Sequence, residues 1–511
     1  MSELVIIGGG PAGVTAALRA RELGAEVTLI EREKLGGTCT NDGCVPTRAL
    51  AKAARLVRDA EQFADYGLRG SAPEVDFPAV LASAQRVVEE VHDKKRLRNR
   101  LEAAGVEVLD GVGDVRFTGP HTLRLENVGP EGAVDEVRGE RFIICAGGRA
   151  RRLGFPGSEH ALTHSDVWDL ESLPGSVAII GAAATGCQLA SVFAALGSRV
   201  RLLDLAPRIL SGEDEDVSRV VSASFERRGI RIETGIGGIS SIESIEKASE
   251  DSDGLLLTYD TSDGERRERL DAVMLSVGWP GNVDTLGLEA AGVTTGRGYV
   301  VVDDTLQTSV PHIFAAGDIT GRVMLVQSAT YEGSLAAEQA VLGAEGAQSH
   351  DIVPHGGFTD PEYASVGLTE EAARAGYDCV VSSVPYADLD RGVIDGHQEG
   401  FCKLLVDRDS RLVLGAHLVG EQAVEIVQLV ATAMRGGIPV ENLADIELAY
   451  PTFTAIVGLA ARRATRKLGI APGGIAPDGT TPGHREWSLQ SQLGVAEWEL
   501  GREHGKATGV L

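Results

Sequence analysis

The chain has 511 residues, 43% of them hydrophobic, and 74 acidic against 48 basic side chains, a formal net charge of −26. So acidic a surface disfavours nucleic acid and anionic membrane as partners, and the length predicts roughly three or four domains with ample core. No apolar run reaches the ~18 residues a membrane helix needs and the chain enters a strand at once, so the expectation is a soluble, cytoplasmic protein.

Leu4-Val5-Ile6-Ile7 reads as a buried parallel strand. Gly8-Gly9-Gly10-Pro11-Ala12-Gly13 follows, then an Ala-rich helix to Leu23 and a second strand, Val27 to Ile30, closed by Glu31. In such a unit Gly8, Gly10 and Gly13 let the backbone approach a pyrophosphate at a helix N-terminus, and Glu31 bonds a ribose hydroxyl. Next comes Gly36-Gly37-Thr38-Cys39-Thr40-Asn41-Asp42-Gly43-Cys44-Val45-Pro46-Thr47. Two cysteines five positions apart, opening a helix, can close a small redox-active ring, because a helix N-terminus stabilises a thiolate. A structural disulfide or half a zinc site are the alternatives. No second Cys/His pair lies nearby to complete a zinc tetrahedron. The other cysteines, Cys145, Cys187, Cys379 and Cys402, are scattered, unlike a secreted disulfide scaffold.

With this Gly-Gly-Thr-Cys…Gly-Cys-x-Pro motif the sequence resembles the FAD-dependent pyridine nucleotide-disulfide oxidoreductases, which include dihydrolipoamide dehydrogenase, mercuric reductase and glutathione reductase. The resemblance spans about residues 1–470. It implies an α/β fold with two Rossmann-like dinucleotide-binding domains, for FAD and NAD, and a C-terminal α+β dimerisation domain. The expected limits are 1–150 with 274–348 for FAD, 151–273 for NAD(P), 349–470 for the interface domain and 471–511 for a tail. It also implies Cys44 next to the flavin and Cys39 as the exchange thiol, with Thr38, Val115 and Ala146 at the cofactor.

Residues 49–66 and 78–104 read as helices. The second carries Lys94-Lys95-Arg96-Leu97-Arg98-Asn99-Arg100, taken as a solvated face rather than a nucleic-acid site. Strand signals surround Val106–Leu109 and Val115–Phe117, and Arg141 to Gly148 is an apolar strand ending in glycines. A second βαβ unit opens at Ser176. Its loop, Gly181-Ala182-Ala183-Ala184-Thr185-Gly186, keeps Gly181 and Gly186 but has Ala183 in place of the middle glycine. Its second strand ends in Asp204, which should bond a ribose and repel a 2′-phosphate, favouring NADH over NADPH. Arg208 could soften that choice. By resemblance, Gly278 stands near the nicotinamide, Asp318 of the Ala315-Ala316-Gly317-Asp318 ending bonds the flavin's ribityl chain, and Val326 lines it.

The family pattern breaks near the C-terminus. A His-Pro with Glu five residues later is expected, and the chain has Tyr450-Pro451-Thr452-Phe453-Thr454-Ala455. Arg48 replaces a lysine, and Gln188 replaces its glutamate partner, which reads as a matched guanidinium–amide pair beside the flavin. Tyrosine, with a pKa near ~10, is a poor base at neutral pH. The implied function is NADH-dependent reduction, through FAD and Cys39–Cys44, of a disulfide or other thiol-reactive small molecule by a homodimer, with Tyr450 at the catalytic position. The alternatives are a quinone or metal-ion reductase with electrons leaving from the flavin, and a non-catalytic regulatory flavoprotein. The Gly/Pro-rich segment after residue 470, with Trp487 and Trp498, reads as a linker and docking tail.

Overall fold

The computed structural model describes residues 2–70, 73–126, 136–245, 254–343 and 349–470; the proposed docking tail lies outside them. The chain divides into two compact units, one formed by residues 1–367 with 418–424 and the other by 368–417 with the residues from 425 on.

The first unit carries the dinucleotide-type folding. Strands β1 (Ser2–Ile7), β2 (Val27–Glu31) and β3 (Glu107–Asp110) pair in parallel, and β1 also pairs with the C-terminal half of β6 (Glu136–Ile144). β1 and β2 are buried on both faces, as the near-continuous apolar runs Leu4–Ile7 and Val27–Ile30 require of a parallel sheet covered by helices. The N-terminal half of β6 continues antiparallel through β5 (Thr122–Leu125) to β4 (Val115–Gly119).

Helix α1 (Pro11–Glu22) crosses from β1 to β2. Between β2 and β3 lie α2 (Gly37–Asn41), α3 (Cys44–Glu61), α4 (Phe77–Lys95) and α5 (Leu97–Ala103). The single helix expected over 78–104 is therefore two. Arg96 adopts φ +44, and its N–H caps His92 O, closing α4 in a left-handed residue that the side-chain pattern does not signal.

A second parallel sheet has the order β13-β7-β8-β9, from β7 (Ser176–Ile180), β8 (Arg199–Asp204), β9 (Arg231–Thr234) and β13 (Ala272–Leu275). Helices α6 (Ala184–Leu196) and α7 (Glu215–Arg227) belong to it. An antiparallel meander of β10 (Gly238–Ser244), β11 (Leu255–Thr261) and β12 (Gly264–Leu270) precedes β13. After the short α8 (Leu288–Ala291) and the hairpin β14 (Thr295–Gly296) to β15 (Tyr299–Val300), the chain returns to the first sheet. There β16 (Ile313–Ala315) pairs with Phe142–Ile144 of β6, and α9 (Val326–Leu342) follows.

In the second unit, strand Cys379–Pro385 pairs antiparallel with Phe401–Asp407, and Ser382 donates from Oγ to Ala460 O of the helix Ala455–Leu468.

Candidate active site

The two βαβ turns are built alike. Gly8 takes φ +108, and a Cβ there would stand 2.3 Å from Cys145 O; one on Gly13 would stand 1.8 Å from Gly8 O. Gly181 at φ +100 and Gly186 repeat this, at 2.3 Å from Ser276 O and 1.8 Å from Gly181 O. Glycine at these positions lets strand, turn and helix touch backbone to backbone. Gly10 caps α1 and Ala183 caps α6 without a side-chain acceptor, which leaves the first helical N–H groups facing outward for an anion.

Each strand-end acid is held by its own turn. Glu31 accepts from Gly9 N at 2.6 Å and Glu33 N at 2.9 Å. Asp204 accepts from Ala182 N at 2.5 Å and Ala206 N at 2.7 Å. Past Glu31 opens a cavity of about 550 Å³ lined by Arg32, Glu33, Gly111, Gly113, Asp114 and Glu126. Turn, helix end and acid together fit a dinucleotide at each site.

Arg208 is otherwise engaged, because its guanidinium donates to the carbonyls of Leu210, Ser211 and Glu213 at 2.8–3.1 Å. With Arg208 engaged by three carbonyls and the Asp204 carboxylate closing β8, NADH is expected to exceed NADPH at least about tenfold in kcat/KM, or ~1.4 kcal/mol. Steady-state rates with the two donors check this, and equal values would contradict it.

The cysteines meet as the spacing implies. Thr38 O accepts from Asp42 N at 3.1 Å and Gly43 N at 2.7 Å, which ends α2 and starts α3 at Cys44. A Cβ on Gly43 would lie 2.9 Å from Thr38 O, so the turn between the two thiols is closed tightly. Both cysteines are free, and the Cys39 thiol donates to Cys44 Sγ. That bond raises Cys39 and, against burial, lowers Cys44 to about 7. Cys44 is also the first residue of an 18-residue helix, where the dipole favours an anion.

Neighbours that sequence reasoning missed hold the five-residue α2. Asp42 accepts from Ser165 Oγ at 2.6 Å through its carboxylate and from Trp168 Nε1 at 3.2 Å through its carbonyl. His164 packs its ring 5.2 Å from that of Trp279. From α4, His92 Nε2 donates to Asn41 Oδ1 at 2.7 Å, and Lys95 Nζ donates to Thr40 Oγ1 at 2.9 Å. The basic run is thus not wholly a solvated face. Its Lys95 turns in to the redox helix, while Arg98 pairs with Glu102 and Asp110.

The expected Arg48–Gln188 pair does not form. Arg48 Nη1 ion-pairs with Glu362 Oε1 at 2.8 Å, and its guanidinium lies 4.3 Å over the Phe358 ring. Gln188 instead accepts from Phe358 N at 3.1 Å and donates to Ala184 O at 3.1 Å. A nearly buried carboxylate, raised by burial, satisfies a guanidinium better than a neutral amide does. Glu362 stands in the segment Phe358–Glu362, but no periodicity ties it to Arg48.

Asp318 accepts from Trp279 Nε1 at 3.1 Å, and burial raises its pKa. Gly278, at φ +125, accepts from Arg151 N. Ala146 follows β6 and accepts from Asn282 Nδ2, and half-buried Val326 opens α9. Val115 packs its side chain in the core with Val5, Ile7 and Phe117, so only its backbone is left to reach a nucleotide. In the second unit Tyr450 is 54% exposed and donates from Oη to Asp390 Oδ2 at 2.5 Å, a bond that raises its pKa further.

Residues 2–333 match the family model described as pyridine nucleotide-disulphide oxidoreductase, and 353–461 match the dimerisation domain of the same family. The chain is a pyridine nucleotide-disulphide oxidoreductase. As a member, it is a flavoprotein that uses FAD and NAD(H), and its matched dimerisation domain supports a homodimer. The oxidoreductase is 34% identical over 469 residues to a dihydrolipoyl dehydrogenase of Haloferax volcanii, covering 91% of this chain and 96% of that one. A dihydrolipoyl dehydrogenase of Zymomonas mobilis is 33% identical over 432 residues, 83% and 90% of the two chains. Among solved structures, LpdA from Mycobacterium tuberculosis superposes with a TM-score of 0.80 at 27% identity over 91% of this chain and 99% of that one. The Cu(II) complex of a mutant of the HOCl-induced flavoprotein disulfide reductase RclA from Escherichia coli gives 0.78 at 27% identity, over 90% and 98%. Among the described residues no helix is long and apolar enough to cross a membrane.

Proposed function

We propose that the oxidoreductase carries two electrons from NADH through the Cys39–Cys44 pair to a small disulfide or other thiol-reactive acceptor. The observation that carries this reading is the thiol pair itself: the tight turn from α2 to α3 brings Cys39 and Cys44 within hydrogen-bonding reach of each other, with Cys44 at the start of a long helix. When bound, FAD supplies the relay between nicotinamide hydride and disulfide. Gly8, Gly10, Gly13 and Glu31 hold its adenosine diphosphate end, with Thr38, Ala146, Asp318 and Val326 toward the flavin. Gly181, Gly186, Asp204 and Gly278 hold the nicotinamide nucleotide. Arg48, paired with Glu362, keeps a fixed cation one turn along α3 from Cys44.

Toward the acceptor, Cys39 passes its proton across the hydrogen bond to Cys44 and attacks one acceptor sulfur. The other acceptor sulfur leaves as a thiolate, which takes that proton. Cys44, now a thiolate, then attacks Cys39, the second acceptor sulfur leaves as a thiolate and takes its proton from water, and Cys39–Cys44 closes as a disulfide that two electrons from NADH reopen. The pair thus holds its own proton, and the hydroxyl of Tyr450, engaged with Asp390, is a donor rather than a base.

That same engagement favours a second reading, in which electrons leave for a quinone or metal ion without any protein base. RclA was solved as a Cu(II) complex. The domain limits proposed are 1–150 with 274–348, 151–273 and 349–470, in a cytoplasmic homodimer whose residues 471–511 dock a partner.

A turnover screen with NADH against lipoamide, small disulfides, quinones and metal ions tests the reading. Small thiol-reactive acceptors should turn over well and lipoamide weakly. Turnover confined to quinones or metal ions, and insensitive to thiol alkylation, would favour the second reading.

A further inference from the structure

Lys95 is the last residue of α4, and the left-handed Arg96 ends the helix directly after it. Its Nζ sits 2.9 Å from Oγ1 of Thr40, a fully buried residue adjacent to Cys39 in α2. In a chain of net charge −26, Lys95 has no carboxylate at ion-pair distance among the described residues. His92, one turn earlier, holds the next residue of the same helix through Asn41. The end of α4 is thereby pinned to the redox helix at two successive residues, and only one of the two pins is a full cation.

We propose that Lys95 is a positioning residue for the redox pair: seated on Thr40, its ammonium stabilises the negative charge that the reduced Cys39–Cys44 pair carries. An ammonium in a partly desolvated setting acts on a nearby thiolate far more strongly than one in bulk water. The charged groups facing the two sulfurs are Lys95 from α4 and Asp318 from the turn after β16. Lys95 favours the thiolate form and Asp318 opposes it. Around His92, burial and the charges of Lys34 and Lys95 keep the imidazole below its ordinary value against Asp93, so at neutral pH the cations there are Lys34 and Lys95. The burial of both sulfurs and the Asp318 carboxylate work against a thiolate; the hydrogen bond from Cys39 is the main counterweight at Cys44, and Lys95 adds the one full positive charge to it.

The inference rests on the pair being the redox centre, and its test needs no acceptor turnover, so the two can fail separately. In reduced holoenzyme, the rate of iodoacetamide alkylation of the Cys39–Cys44 pair, read by peptide mass spectrometry from pH 5 to 9, should have its midpoint near 7 in the wild type. Lys95→Gln should move the midpoint upward and slow alkylation at pH 6 about three- to tenfold, with the high-pH plateau unchanged. Lys95→Arg, which keeps the charge, should stay within about twofold of wild type. A Lys95→Gln profile that overlays the wild type overturns the proposal. So does a Lys95→Arg profile as shifted as that of Lys95→Gln, since the geometry of the seat and not the charge would then be responsible. Should Lys95→Gln not fold, Thr40→Val removes the seat and must shift the midpoint the same way by a smaller amount; an unmoved midpoint overturns the proposal.

Discussion

Replacing Cys44 with serine is expected to lower NADH-dependent disulfide reduction by at least about 10³-fold, and replacing Cys39 to do the same. A serine hydroxyl neither ionises near neutral pH nor forms the disulfide that stores the two electrons. The damage should be selective. Serine is smaller than cysteine, so it fits at both places, Cys39 within α2 and Cys44 at the first position of α3, without a steric clash. The variants should therefore remain yellow, and reduction of a dye or quinone by NADH should stay within about threefold of wild type. Disulfide turnover that survives either substitution would show that the pair is structural.

The second large effect is a gain. Tyr450→His combined with Ala455→Glu should raise lipoamide turnover about tenfold or more, remaining below the ~10²–10⁴-fold a well-placed general base supplies. The unmodified hydroxyl is a poor base twice over: its ordinary pKa is high, and donation to Asp390 pushes it higher. Ala455 is the first residue of the helix Ala455–Leu468, a position where glutamate is favoured by the helix dipole and has room at an incompletely buried site. The gain is limited because the surroundings, Phe453 under Arg391 and Asp390 facing Tyr450, were shaped for a phenol. Flavin-level reduction of quinones should barely change. Vigorous lipoamide turnover by the unmodified protein would refute this account.

The parts of the molecule dictated by short-range rules were legible in the sequence. Each βαβ unit declares itself through an apolar run, a glycine turn and an acid, because strand burial, close backbone approach and ribose bonding impose residue types at fixed spacing. The cysteine turn was legible for the same reason. What escaped depends on contacts distant in sequence. Gln188 and Arg48 looked like a matched pair because both positions had changed together, yet Arg48 found Glu362, 314 residues away. Lys95 was indistinguishable from its solvated neighbours until the break at Arg96 was seen, and a left-handed arginine has no composition signature. Asp42 reads as an ordinary turn residue, although Ser165 and Trp168 from beyond β6 hold it.

One contact ties two functions into a single piece of backbone. Gly36 N donates to Gly9 O at 2.8 Å, and a Cβ on Gly37 would lie 2.8 Å from the Cα of Gly10. The loop that would cradle a phosphate and the helix that carries the first thiol are therefore mortised together, main chain against main chain, with no side chain between them to cushion a displacement. Any side chain at position 37 would have to force the nucleotide turn and the first cysteine helix apart, so the glycine there keeps the two in main-chain contact.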